Sequence, residues 1–138
     1  MKTTQQKKKA IKNKLDRLIQ QIYRKPSDKC LVCGERAEVL HHFVQKSQSM
    51  YLRWDPSNLI PLTNSCHCRH HITGDPMVVA TIVQKKGQKW LEKIQEDKNK
   101  PFDSSLTGLR ELLEKLEAYE DINFGMYYSG CLLENTLL

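Results

Sequence analysis

Seven consecutive residues, SCHCRHH at positions 65–71, hold two cysteines and three of the five histidines in the chain. Thiolate and imidazole groups are the protein ligands that zinc and related metals prefer. Residues four apart on a helix share a face. His67 and His71 therefore form one pair, and Cys66 and His70 form a second pair, turned from the first by about 100°. The segment predicts a short helix that serves two metal sites on neighbouring faces.

An earlier pair of cysteines predicts a structural zinc knuckle. In the segment CLVCG, Cys30 and Cys33 flank a tight turn, and together they can supply two thiolates to one ion. Tetrahedral zinc requires four sulfur or nitrogen ligands. Cys66 is the natural third ligand, and the fourth is either His70 or Cys68, a choice that the spacing leaves open.

The two remaining histidines, His41 and His42, are adjacent in the segment VLHHFV. Residues 39–44 are a short strand candidate, and the segment NLIPL at residues 58–62 is a second one. Because strand neighbours point to opposite faces, the two histidines cannot both face one ion on a regular strand. Either a bend brings both to one site, or one of the two is not catalytic.

Helical periodicity flanks this central segment on both sides. Residues 1–9 look frayed. A helix is predicted at about 8–24, with an apolar stripe on one face and basic residues on the opposite face. Further helices are predicted at about 76–86 and 88–98, and a last one begins at Ser104 or Ser105. The predicted fold class is α+β, a short two-stranded hairpin with a zinc knuckle flanked by several helices.

The domain prediction has three parts. Residues 1–28 form a basic N-terminal helix, residues 29–75 form the metal-binding core, and residues 76–138 form a helical extension that belongs to the same compact unit. The tail at 122–138 is apolar, and its role stays open. A chain of 138 residues is the size of one ordinary domain and needs no disulfides to fold.

The net charge of +6 is spread unevenly along the chain. Residues 1–29 carry ten Lys and Arg against two Asp and Glu, whereas residues 101–138 carry two against seven. A basic front half suggests a polyanion such as DNA as the partner, although a lysine-rich tail that keeps the protein dissolved explains it equally well. No apolar run is long enough to span a bilayer, and the N-terminus lacks the apolar core of a secretory signal. We therefore expect no membrane association and a cytoplasmic location, in a bacterial host cell or one infected by a phage.

The segments CLVCG, VLHHFV and NLIPLTNSCHCRHH together resemble the HNH (ββα-metal) endonuclease family, over about a third of the chain. The resemblance implies a treble-clef-like core in which two strands and a helix carry the active site. By position, His42 is the general base and Asn58 orients it. The same resemblance assigns the metal ligands His41, His67 and His71, and His67 belongs to the catalytic set as well.

The implied cofactors are a divalent cation such as Mg²⁺ or Mn²⁺ at the histidines and a structural zinc at the cysteines. Zinc-bearing members of the family have a second CxxC just before the helix histidine, whereas Thr63 takes the first of those positions here. A threonine hydroxyl is a poor zinc ligand, so the fourth structural ligand stays open.

A looser similarity, through HFVQKSQSMYLRWDPSNLIPL and the later KKGQKW, links the chain to phage recombination nucleases of the NinG and Rap type. It implies branched DNA, or DNA with single-stranded parts, as the substrate. The alternative to an endonuclease is a zinc-containing DNA-binding module without catalysis. We expect a monomer or a weak homodimer, since the basic front and the acidic end could pair between copies.

Overall fold

The computed structural model describes residues 1–120, and it has the mixed α+β character that the sequence predicts. The predicted role of residues 122–138 lies outside the described residues. The strands are β1 (Val39–His42) and β2 (Leu59–Leu62). The helices are α1 (Thr4–Tyr23), α2 (Met50–Arg53), α3 (Asn64–His71), α4 (Pro76–Lys86), α5 (Gln88–Asp97) and α6 (residues 106–120), with a 3₁₀ turn at Pro56–Asn58.

The chain divides into two compact units. One unit joins Met1–Ile22 to the segment that begins at Asp103, and the other is the continuous stretch Tyr23–Phe102. This division differs from the three-part order predicted above, because residues 76–102 group with the metal-binding segment. The reason is visible in the packing, since α3 contacts α4 and α4 contacts α5.

Helix α1 begins earlier than the sequence analysis expected. The frayed start predicted for residues 1–9 is wrong, because the helix is formed from Thr4. Thr3 and Gln6 explain the difference. The Gln6 side chain accepts from the Thr3 amide at 2.9 Å, and the Gln6 amide donates to the Thr3 hydroxyl at 3.2 Å. This reciprocal pair is a capping box, which satisfies amides that would otherwise fray the end.

The predicted hairpin is present as an antiparallel pair of strands, with His41 opposite Ile60 and His42 opposite Leu59. The connection between the strands is long, at residues 43–58, and it contains α2 and the 3₁₀ turn. Helix α3 packs against both strands. His41 is therefore buried, with only 3% of its surface exposed, although it lies on a two-stranded sheet.

Helix α3 has defined ends that fix how its side chains are aimed. Thr63 caps its start, and its hydroxyl accepts from the Cys66 amide at 3.2 Å. Gly74, at φ +63°, takes the left-handed conformation that few other residues adopt and turns the chain beyond the helix. Asp75 then caps α4 by accepting from the Met77 amide at 3.0 Å.

The core beneath α3 is apolar and includes two of the cysteines. Its fully enclosed members come from β2, α3, α4 and the knuckle: Cys30, Ile60, Leu62, Cys66, Val78 and Ile82. Burying aliphatic side chains of this size stabilises the fold by roughly 1.5–3 kcal/mol each. Among the described residues, no helix has the length and apolarity that a membrane crossing requires.

Candidate metal centres

Two groups of possible metal ligands lie on two sides of α3. The first group is Cys30, Cys33 and Cys66, whose sulfur atoms all lie within 4.8 Å of one another. The knuckle that carries Cys30 and Cys33 is closed by a bond from the Gly34 amide to the Cys30 carbonyl at 2.9 Å. Gly34 itself has φ +79°, as the sequence anticipated for this turn.

Backbone amides prepare the knuckle for a cation. Burial raises the pKa of the Cys30 thiol, but hydrogen bonds to the backbone at Cys33, Thr63 and Val32 outweigh burial and lower that pKa to about 7. Cys66 lies in the apolar core, and burial raises its pKa. A metal ion binds thiolate rather than thiol. The group can therefore supply its first thiolate near neutral pH, and an ion would favour deprotonation of the remaining two.

The second group is His41, His67 and His71, whose ligand atoms also lie within 4.8 Å of one another. The ring centroids of His67 and His71 are 4.4 Å apart, and those of His41 and His67 are 5.2 Å apart. His41 is buried, His67 is half-buried and His71 is exposed. The three predicted ligands of the catalytic ion therefore meet, and the site that they form is open to solvent on the side of His71.

His70 lies with the histidines and apart from the three cysteines with which the sequence analysis had grouped it. Its ring centroid is 4.9 Å from that of His41 and 5.0 Å from that of His71. The prediction paired His70 with Cys66 because the two are four residues apart. His70 is also three residues from His67, and that spacing places two residues on one helix face equally well.

Burial favours the neutral form of three of these imidazoles, those of His41, His67 and His70. Burial, followed by repulsion from His67, His70, His71 and His42, lowers the pKa of His41 to about 3. Burial is also the main reason why the pKa values of His67 and His70 are lowered. Only neutral imidazole binds metal. Protons therefore compete weakly with a metal ion for His41 and His67 at neutral pH.

His42 is held by a carbonyl group. Its Nε2 atom lies 2.8 Å from the backbone oxygen of Arg53. A carbonyl oxygen can only accept, so Nε2 carries a proton and donates it to this bond. His42 also lies near enough to His41 and His67 that a positive charge on it would lower the pKa values of both. The bond to the Arg53 carbonyl holds the His42 ring in one orientation.

Asn58 is fully buried, and its amide bonds to the backbone of the 43–58 loop. Its Oδ1 accepts from the Val44 amide at 2.7 Å, and its Nδ2 donates to the carbonyls of Val44 at 3.0 Å and Leu52 at 3.1 Å. Leu52 precedes Arg53, whose carbonyl accepts from His42. Asn58 therefore fixes the loop that holds His42, which is a more indirect way of orienting the base than the resemblance implied.

Both donor sets suit zinc or a similar divalent ion, and they differ in the kind of site that they form. Three thiolates suit zinc, which forms closed sites when it is structural. Three imidazoles with an exposed side suit a divalent ion that keeps open positions for water or substrate. The Arg53 carbonyl escaped the sequence analysis, because a backbone group carries no sequence signal. The sequence analysis considered Thr63 only as a poor zinc ligand and missed that it caps α3, although threonine is a common residue at that position.

Comparison of this chain with family models, curated proteins and solved structures gives no match. The geometry of the two groups is therefore what supports a function.

Proposed function

We propose that this chain is a metal-dependent endonuclease of the HNH type that hydrolyses phosphodiester bonds in DNA. The observation that carries the proposal is the convergence of His41, His67 and His71 into one group with an exposed side. A core that needed only mechanical support would gain nothing from three imidazoles gathered at its surface, because neutral rings in contact stabilise a fold only weakly. A cation that must also reach a substrate is the chemical reason for such a group.

A divalent ion at the three histidines would offset the charge of the phosphodiester and stabilise the leaving oxygen, which is worth several kcal/mol at the transition state. The protein's own contribution is to hold three neutral ligands in place. The buried His41 anchors the group from β1, and α3 supplies the other two ligands one helical turn apart. A nucleic-acid strand would approach the ion from the side of His71, the exposed ligand.

His42 is the proposed general base. Its Nε2 donates to the Arg53 carbonyl, which orients the ring, and in the neutral form of the ring Nδ1 would accept a proton from the attacking water. A positioned base of this kind contributes roughly 10²–10⁴-fold to a rate. Asn58 acts as a positioning residue, since it ties Val44 and Leu52 together and thereby sets the place of the carbonyl that holds His42.

DNA is the proposed substrate because the chain carries a net charge of +6, with most of the excess in the first 29 residues. Such a charge attracts any polyanion and gives salt-dependent binding. Branched DNA is the finer proposal, and it depends on the resemblance alone. The second candidate function, a zinc-containing DNA-binding module without catalysis, is favoured by the cysteine group, which such a module would also contain.

A cleavage assay with a chelator control separates the two candidates. The full-length protein is incubated with supercoiled plasmid, linear duplex, four-way junctions and an RNA hairpin, each with Mg²⁺, Mn²⁺ or chelator. The proposal expects products that need the added ion and disappear with chelator. The module without catalysis expects binding that weakens with salt, with a log–log slope of about −0.9 for each phosphate neutralised, and no products. Intact substrates under every ion would contradict the nuclease.

A further inference from the structure

Thr63, which the sequence analysis judged to be a poor zinc ligand, lies beside the three-cysteine group. The Oγ1 atom of Thr63 lies 3.8 Å from Cys33 Sγ and 3.9 Å from Cys30 Sγ. In a tetrahedral zinc site with metal bonds of about 2.0–2.3 Å, an oxygen vertex and a sulfur vertex lie roughly 3.5 Å apart. The hydroxyl is therefore within a few tenths of an ångström of the spacing expected for a fourth vertex.

The backbone holds the Thr63 hydroxyl in this place. Thr63 caps α3 with its side chain, which accepts from the amide of Cys66, the third cysteine of the group. The residue is 4% exposed, so it cannot swing out into solvent without opening the junction between β2 and α3. The same hydroxyl thus lies against all three cysteine residues, and the helix cap fixes its rotamer.

The two rival fourth ligands lie elsewhere. His70 is in contact with His41 and His71, on the other side of α3. Cys68 is exposed, and two residues along a helix turn a side chain by about 200° from Cys66. Within the described residues 1–120, the cysteine group that can share one ion has three members and no histidine.

We infer that the cysteine group is a three-thiolate metal site whose fourth vertex is the Thr63 hydroxyl. A neutral hydroxyl is a weaker donor to zinc than a thiolate or an imidazole. One of the three thiolates, Cys33, is also exposed to solvent. The site therefore holds its ion less tightly than a four-thiolate knuckle and exchanges it with chelators. This inference concerns the knuckle alone and is independent of the proposed nuclease activity.

Cobalt titration tests the inference, because Co²⁺ bound to thiolate absorbs in proportion to the number of thiolates. The reduced full-length protein is titrated with Co²⁺ alone, beside the Thr63→Cys variant and a Thr63→Ser control that keeps both hydroxyl and cap. We expect Thr63→Cys to raise the thiolate-to-cobalt charge-transfer band by about one third, from three thiolates to four, and to slow loss of the ion to a chelator by about ten-fold or more. Thr63→Ser is expected to match the wild type. An unchanged band in a folded Thr63→Cys protein would overturn the inference.

Two further variants keep the test decisive even when Thr63→Cys does not fold. We expect Cys68→Ser and His70→Ala to leave the charge-transfer band and the release of the thiolate-bound ion as they are in the wild type. A weaker band in Cys68→Ser, or faster release of that ion in His70→Ala, would identify the altered residue as the fourth ligand and would reject Thr63. The band arises from thiolate alone, so cobalt bound at the histidines does not obscure it.

Discussion

The cysteine group and the histidine group differ in their donor atoms and in how their ligands are buried, although consecutive residues of one helix contribute to both. Cys30 and Cys66 are buried in the apolar core, and Cys33 alone of the three cysteines is exposed. The histidine group passes from the buried His41 to the exposed His71. Closed metal sites support a structure, and sites with an open position perform chemistry. The comparison shows that the two sides of α3 present different donor atoms, thiols on one side and imidazoles on the other.

The largest effect is expected from His67→Ala, which removes one of three ligands on the open side. Cleavage should fall to the chelator background, because two imidazoles hold a divalent ion poorly. The unfolding transition of the chelated protein should shift little, since His67 is only half-buried. Plasmid nicking and thermal unfolding measure the two properties, and a cobalt titration shows whether the thiolate-bound ion is kept.

Cys68→Ala is the matched control for that variant, because Cys68 is the next residue of α3 and is exposed. It should leave both cleavage and the histidine-bound ion intact. Loss of the thiolate–cobalt band in His67→Ala would contradict the separation of the two groups.

His42→Ala should slow cleavage by roughly 10²–10⁴-fold while the ion stays bound. The variant removes the proposed base and leaves His41, His67 and His71 in place. Single-turnover cleavage and metal content, measured on the same preparation, distinguish a lost base from a lost ion. Equal rates for the variant and the wild type would show that His42 takes no part in the reaction. The histidine group would then be an ion-binding site without the proposed base.

Acid should destabilise the protein that a chelator has freed of metal, because the buried His41 of the histidine group resists protonation. The pKa of His41 is about 3 in the folded state and near 6.5 in the unfolded state. The unfolded chain therefore binds more protons between these values, and stability is lost as the pH falls below 6.5. We expect a loss of about 3 kcal/mol between pH 6.5 and pH 4 from this group. Urea unfolding at a series of pH values measures it. His41→Gln should flatten the curve, and an equally steep curve in that variant would contradict the assignment.

Asn58→Ala is expected to lower the stability by about 2 kcal/mol, less than the acid effect, because the Val44 amide and two carbonyls lose a buried partner. Cleavage should fall with a lower maximal rate and little change in metal affinity, since the variant loosens the loop that carries the Arg53 carbonyl. Thermal unfolding and a metal titration provide the two readouts. A lost ion without a slower rate at saturating metal would show that Asn58 supports the ligands instead of the base.

Local sequence signals predicted the elements well. Asp75-Pro76 and Gly87 correctly predicted the limits of α4, because a cap, a proline and a glycine act on their immediate neighbours. The four-residue spacing correctly predicted that His67 and His71 share a face. The same rule misplaced His70, because a helix brings residues three apart together as well. The start of α1 was missed because the capping box formed by Thr3 and Gln6 was overlooked.

Features that depend on the course of a loop could not be predicted. The carbonyl that holds His42 belongs to Arg53, eleven positions later, and any residue type could supply it. Likewise, Asn58 bonds to backbone groups whose positions depend on how α2 packs. Backbone partners leave no trace in residue identity. Sequence therefore predicts which side chains take part in a site better than it predicts what holds them.

Cys66 and His67 are joined by one peptide bond, so an ion on either side restricts the rotation of α3 about its own axis. Each residue corresponds to about 100° of that rotation. When the knuckle holds an ion, the imidazoles on α3 would already be oriented. Binding of a second ion at the histidine group would then cost less conformational entropy. Thermodynamic reciprocity then requires the second ion to strengthen the hold on the first by the same factor.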